Sequence, residues 1–198
     1  MLDRETDQTE AMQALEPILQ VIHGILDQSV AFYFSDAYSA AARAEHTERA
    51  MANCIYSHAE KRMIESAEIV VRLNAIRLRG LAVLNYQDRA LARFKKVNAR
   101  GRHSNYQTKQ QQDYDDQKTL PGIPEPAFRL TAGYQLDAIG SSLERIMIAR
   151  PMGRTVLWTA QVTLIDGVAA WEDITPQRFG GMDGSDFNAD TARARRGR

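Results

Sequence analysis

Residues 69–97 read IVVRLNAIRLRGLAVLNYQDRALARFKKV, and the fold turns on how that run is read. Its apolar positions recur at steps of three and four: Ile69, Leu73, Ile76, Gly80, Val83 or Leu84, Leu91, Phe94 and Val97, with Gln87 as the one interruption. That spacing predicts one stripe of an α-helix. A second row, Val71, Ala75, Leu78, Ala82, Tyr86 and Ala90, runs beside it. The predicted apolar surface is wider than a two-stranded seam needs and suits a helix with two neighbours. Upstream, the pattern continues through alanine-rich sequence with acid-first i,i+4 pairs, Glu45 with Arg49 and Glu68 with Arg72. The span 39–97 holds no proline and a single glycine, Gly80. It therefore reads as one very long helix, or as a helical hairpin bent at Gly80. A straight helix of that span would measure about 88 Å, against a radius of gyration of about 16 Å for a compact chain of this size. Such a helix must fold back or be supported by partners.

The flanks extend a mainly α reading. Leu15, Ile18, Leu19, Ile22, Ile25 and Leu26 form an N-terminal amphipathic stripe with Pro17 in its first turns. Ser35 and Asp36 are candidate caps for the long helix. Gly101 reads as its stop, with Arg93, Lys95, Lys96 and Arg100 in the last turns. Residues 105–118 are polar and glutamine-rich and 120–126 are broken by proline, which predicts a linker of about 25 residues. Helical spacing resumes over 127–149 through Phe128, Leu130, Tyr134, Leu136, Ile139, Leu143, Ile146 and Met147. Residues 155–165 alternate and are rich in β-branched side chains, which allows a hairpin with 168–174 across Asp166-Gly167 or a short buried helix. The expected organisation is a helical region at 1–100, a polar linker at 101–127, a small helical or α+β region at 128–175 and an extended tail at 176–198.

Composition narrows the function classes. Formal net charge is zero, so no global field pulls the chain to nucleic acid or membrane. The charge is unevenly spread: residues 1–36 carry seven acids and one base, while 72–102 carry nine bases and one acid, Asp88. One cysteine, Cys54, excludes an intrachain disulfide. The acidic, polar start does not read as a signal peptide, and no uncharged apolar run reaches about 18 residues. A soluble protein that works in a reducing compartment such as the cytoplasm or inside an assembly, with no integral membrane span, is expected.

Chemistry candidates are sparse. Cys54 and His58 stand four apart, as half a metal site or a thiolate–imidazole pair would, but further ligands are missing and a buried thiol beside a histidine is the plainer reading. Glu45, His46, Glu48, Glu60, Glu65 and Glu68 lack the Glu-x-x-His pairs of a carboxylate-bridged di-iron bundle. Asp186, Asn188 and Asp190 alternate like calcium-loop ligands, but Thr191 and Gly197 stand where that loop needs glycine and glutamate. Phosphate-loop, dinucleotide-loop and nucleophile-elbow motifs are missing. No catalytic residue, cofactor or metal ligand is therefore expected. The strongest positive signal is basic. Arg72, Arg79, Arg89, Arg93, Lys95, Lys96, Arg100 and Arg102 could neutralise phosphates, or could be a solvated face or pair with an acidic neighbour. The tip, Arg193 to Arg198, is basic as well.

Over residues 37–117 the texture resembles internal virion or ejection proteins of short-tailed bacteriophages. The run Ala40, Ala41, Ala42, Arg43, Ala44, Glu45, the run Arg77, Leu78, Arg79, Gly80, and Ala92-Arg93 carry the likeness. The chain departs from that family in lacking a long Gly/Ala-rich apolar segment. The resemblance implies a non-enzymatic structural subunit that packs against copies of itself or other subunits. Its expected interface is Ile69, Leu73, Ile76, Val83, Leu84, Leu91 and Phe94. The alternative is a nucleic-acid-binding helical protein using residues 72–102.

Overall fold

Residues 69–97 form strands. A computed structural model describes residues 3–78, 80–103, 108–123, 125 and 128–176. In it the run opens on the last residue of a helix and continues as a three-stranded meander, β1 (Leu73–Leu78), β2 (Leu81–Tyr86) and β3 (Ala90–Lys96). Gly80, at φ 85°, belongs to the first turn and bends no helix. Gln87 and Asp88 both take positive φ in the second, the backbone of a tight hairpin turn. Asn85 closes that turn, donating to Asp88 Oδ1 at 2.7 Å and accepting from the Asp88 N–H at 3.1 Å.

The helical reading failed for a physical reason. Strands β2 and β3 are buried on both faces, and such strands read as nearly continuous apolar runs. A continuous run satisfies steps of three and four as easily as steps of two. Side chains here alternate: Leu73, Leu84 and Phe94 pack on one face, Ile76, Val83 and Leu91 on the other. Three β-branched residues in a row, Ile69, Val70 and Val71, mark the end of the preceding helix, and Arg72 turns the chain at φ 67°.

The very long helix is also interrupted upstream. After α1 (Arg4–Leu15), a single 3₁₀ turn holds Pro17 and leads into α2 (Leu19–Phe32), which ends in a π turn, Tyr33–Ala37. Then come a short α3 (Ala40–Glu45) and α4 (Glu48–Ile69). Between them His46 and Thr47 are extended, and Thr47 caps α4 by accepting from the Ala50 N–H as Ser39 caps α3 through Ala42. The caps are thus Ser39 and Thr47 and not Ser35 or Asp36. The longest regular helix, α4, has 22 residues and spans about 33 Å.

The rest of the chain completes one seven-stranded sheet in sequential order. Strands β4 (Phe128–Leu136) and β5 (Leu143–Met152) replace the helix expected over 127–149. Of the two alternatives for the next segment the hairpin forms, β6 (Thr155–Ile165) with β7 (Val168–Asp173), turning at Asp166 and Gly167 with φ 51° and 79°. All neighbours are antiparallel except β3 and β4, which are parallel. A parallel pair needs a crossover, and the residues expected to be a linker supply it. They carry a short α5 (Lys109–Asp115), capped by Thr108. The architecture is α+β and not mainly α.

Three layers result. Helices α1, α2 and α4 cover one face, burying Met12, Leu19, Ile22, Leu26, Ile55 and Met63 against Leu84, Phe94, Leu130, Ile148 and Trp158. The crossover covers part of the other face, where Tyr114, Leu120 and Ile123 pack on Leu81, Val83 and Leu91. Helix α1 is pinned by polar contacts: Trp158 Nε1 donates to Asp7 Oδ1 at 2.6 Å, and Gln8 Nε2 donates to Asp173 at 3.1 Å. No helix among the described residues is long and apolar enough to cross a membrane. The acidic alternation at Asp186 to Asp190 and the arginines from Arg193 onward lie outside the described residues.

Candidate functional site

Where α2 ends, the polypeptide carries Phe32, Tyr33 and Phe34 in succession, and a π turn re-aims them. Tyr33 is 1% exposed, wedged beside Tyr38, Phe34 and His46 with ring centroids 5.1–5.8 Å apart. Its hydroxyl lies 2.7 Å from His46 Nδ1. His46 is held there by the extended break between α3 and α4. This pair sits in the wall of a cleft of about 540 Å³ at one end of the sheet. The far ends of β3 and β4 bring Lys96, Val97, Gln135 and Leu136 into the same cleft, α3 and α4 bring Arg43, Glu48 and Met51, and the β4–β5 loop brings Asp137 and Ile139.

The lining is mixed by design of the strand ends. Phe34, Met51, Val97, Leu136 and Ile139 are apolar, and Ile139 is 85% exposed at the rim. Arg43 Nη1 donates to the Tyr38 carbonyl at 2.6 Å. Lys96 Nζ stands 3.6 Å from Glu48, whose side chain is almost fully exposed. Gln135 Oε1 is buried and has no hydrogen-bond partner among the described residues. The loop that forms the rim is fixed by Asp137, which accepts from the Ser141 N–H at 2.6 Å and from both the Ser141 and Ser142 hydroxyls. Those hydrogen bonds, the Ser141 N–H first, lower the Asp137 carboxyl below its usual range. Burial raises the Tyr33 phenol, with the nearby Cys54 thiol adding to it and Arg43 opposing. Tyr33 therefore stays protonated at neutral pH.

The residues singled out from sequence fare unevenly. Of the expected interface stripe, Leu73, Val83, Leu84, Leu91 and Phe94 are buried in the chain's own two cores, with Ile76 packed against the second core, and Ile69 is 81% exposed at the end of α4. The basic set does not share a surface. Arg72 and Arg89 stand at one end of the meander, Lys96, Arg100 and Arg102 at the other, about 20 Å apart along β3. Arg93 is buried, and Lys95 Nζ lies over the Tyr56 ring, 5.4 Å from its centroid. Arg79 lies outside the described residues. The carboxylates of the di-iron question are dispersed: Glu60 pairs with Arg77 at 2.6 Å, Glu65 with Lys61 and Glu48 with Lys96. Cys54 packs near Tyr38, and their hydrogen bond raises the Tyr38 phenol. His58 stands edge-on to the Phe32 ring at 4.8 Å. Among the described residues no group of three or more His, Cys, Asp and Glu could hold a metal ion.

No known family, curated protein or solved structure matches this chain. Residues 37–117, expected to be helical, divide between helices and the β1–β3 meander, so the expected helical character is corrected. Sequence reading missed the cleft because its parts come from six separate elements: the π turn after α2, α3, α4, β3, β4 and the β4–β5 loop. The one local signal was the bulky Val30-Ala31-Phe32-Tyr33-Phe34 run before a break, which marks a corner without saying what it faces.

Proposed function

We propose that this chain is a small-molecule-binding protein whose ligand occupies the cleft between α2, the α3–α4 break and the ends of β3 and β4. The observation that carries the reading is the cleft itself. Its volume, about 540 Å³, falls in the range of small-molecule pockets, and its lining joins apolar side chains to a few convergent polar groups. Arg43, Lys96 and the Tyr33–His46 pair supply donors, so the ligand class that fits is an amphipathic molecule carrying a carboxylate or carbonyl. Its apolar part would lie on Phe34, Met51, Val97 and Leu136. The cleft favours binding, with the Tyr33–His46 pair as a fixed polar part of its wall.

The test is a fluorescence titration of the purified chain with an anionic naphthalenesulfonate dye, followed by competition with octanoate, benzoate and octanol. Saturable binding that octanoate displaces better than octanol supports the reading. Lys96→Ala and Arg43→Ala should each weaken octanoate about tenfold, the worth of one charge-assisted hydrogen bond. Dye binding that is absent, or that neither substitution alters while both variants fold normally, would refute it.

A further inference from the structure

On the sheet face opposite the helices the crossover closes over a second, smaller cavity of about 260 Å³. Its wall is built on a buried ionic cluster. Arg93, in β3, is 1% exposed. Its Nε donates to Thr131 Oγ1 at 3.2 Å, its Nη2 donates to the Asp115 carboxylate, and the same Nη2 lies 2.6 Å from His103 Nε2. The other Asp115 oxygen lies 3.2 Å from His103 Nε2. The Asp115 charge is thereby matched by Arg93. Tyr114, beside it, spans β3 and β4 with its hydroxyl 2.8 Å and 3.0 Å from the carbonyls of Leu130 and Leu91.

The remaining charge lining this cavity is positive. Arg102 and Arg154, both exposed, line it together with His103, and Asp115 is the one acid in its lining. Asp116 stands nearby, its Oδ1 close to Gly153, but its other oxygen is 2.8 Å from Lys118 Nζ. Two buried nitrogens of the cluster also lack partners. Neither His103 Nδ1 nor Arg93 Nη1 has a partner among the described residues. Buried polar nitrogens are ordinarily satisfied, His103 lines the cavity, and an anion there can take several hydrogen bonds at once.

We propose that this cavity binds a compact oxyanion, with Arg102 and Arg154 as the charged forks and His103 and Thr155 as hydrogen-bond partners. Its volume suits a phosphate or a small carboxylate and excludes the larger ligand of the helix-side cleft. The forked guanidinium geometry matches either anion. Gly101 shapes the floor, since its φ of 70° and its approach to Thr159 and Ala149 leave no room for a side chain.

The test is an NMR titration of the full chain, following backbone amides, with sodium phosphate, sodium acetate and sodium chloride at fixed ionic strength. Saturable shifts at Gly101, His103, Gly153 and Thr155 with phosphate or acetate, in the millimolar range or tighter and absent with chloride, support the site. The stronger of the two anions identifies the group. Arg154→Ala and Arg102→Ala, both at exposed positions, should each weaken binding about tenfold. Arg43→Ala in the other cleft should leave it unchanged, which separates this site from the proposed ligand cleft. Shifts that do not saturate, that chloride reproduces, or that survive both arginine substitutions would overturn it.

Discussion

Removing Asp115 tests how the crossover is held to the sheet. The Arg93 and Asp115 side chains are each 1% exposed, so solvent cannot replace the lost partner. Breaking a buried ion pair from one side leaves an uncompensated charge and costs about 3–5 kcal/mol. For a chain of 150–250 residues each kcal/mol lowers the melting temperature by about 2–4 °C, so Asp115→Ala should melt about 6–20 °C lower than the parent. Taking out both charges should behave differently. Arg93→Met with Asp115→Leu removes both charges and, among the described residues, leaves Thr131 and His103 to find new partners, at about 1 kcal/mol each. The double variant should therefore be more stable than Asp115→Ala alone. Thermal unfolding followed by circular dichroism reads both effects, and added salt should change the difference little because the pair is buried. The reasoning fails if Asp115→Ala melts within about 3 °C of the parent, or if the double variant loses as much as the two single losses added together.

Three further outcomes follow from the same structure. Gly80 and Gly101 share positive φ but not surroundings: an added Cβ meets nothing within 4 Å at Gly80 and stands 2.5 Å from Thr159 Cγ2 at Gly101. Gly80→Ala should cost only about 1 kcal/mol of backbone strain and Gly101→Ala at least about twice that, measured by urea unfolding; equal costs would refute the packing argument. Burial, aided by Arg62 and Lys61, lowers His58 below its usual value of 6.5. The unfolded chain then holds the extra proton first, so stability is full above pH 6.5 and falls as the pH drops below it. Urea midpoints at pH 7.5 and 5 should differ less in His58→Gln than in the parent. Burial, reinforced by Arg93, lowers Lys95 to about 8. Stability should rise as the pH climbs from about 8 towards the ordinary lysine value, and ¹³C-methylated Lys95 should titrate near 8; a titration at the ordinary lysine value would exclude the buried placement.

Local pattern was enough wherever a segment has one buried face. Leu15, Ile18, Leu19, Ile22, Ile25 and Leu26 are legible as a helical stripe because their opposite side is polar, and all six are buried against the sheet. The Asp166-Gly167 hairpin was one of two readings the sequence allowed, and the positive φ of both residues suits that turn. Residues 69–97 were not legible in this way. A strand buried on both faces carries no polar phase to set its period, so only the helices on one side and Tyr114, Leu120 and Ile123 on the other show that it is a sheet. The candidate sites are likewise products of tertiary contact. Arg93 looked like part of a basic surface until the crossover brought Asp115 and His103 to it from 22 and 10 residues away. Charge written along a sequence says what a side chain needs, and the fold alone supplies the partner that meets the need.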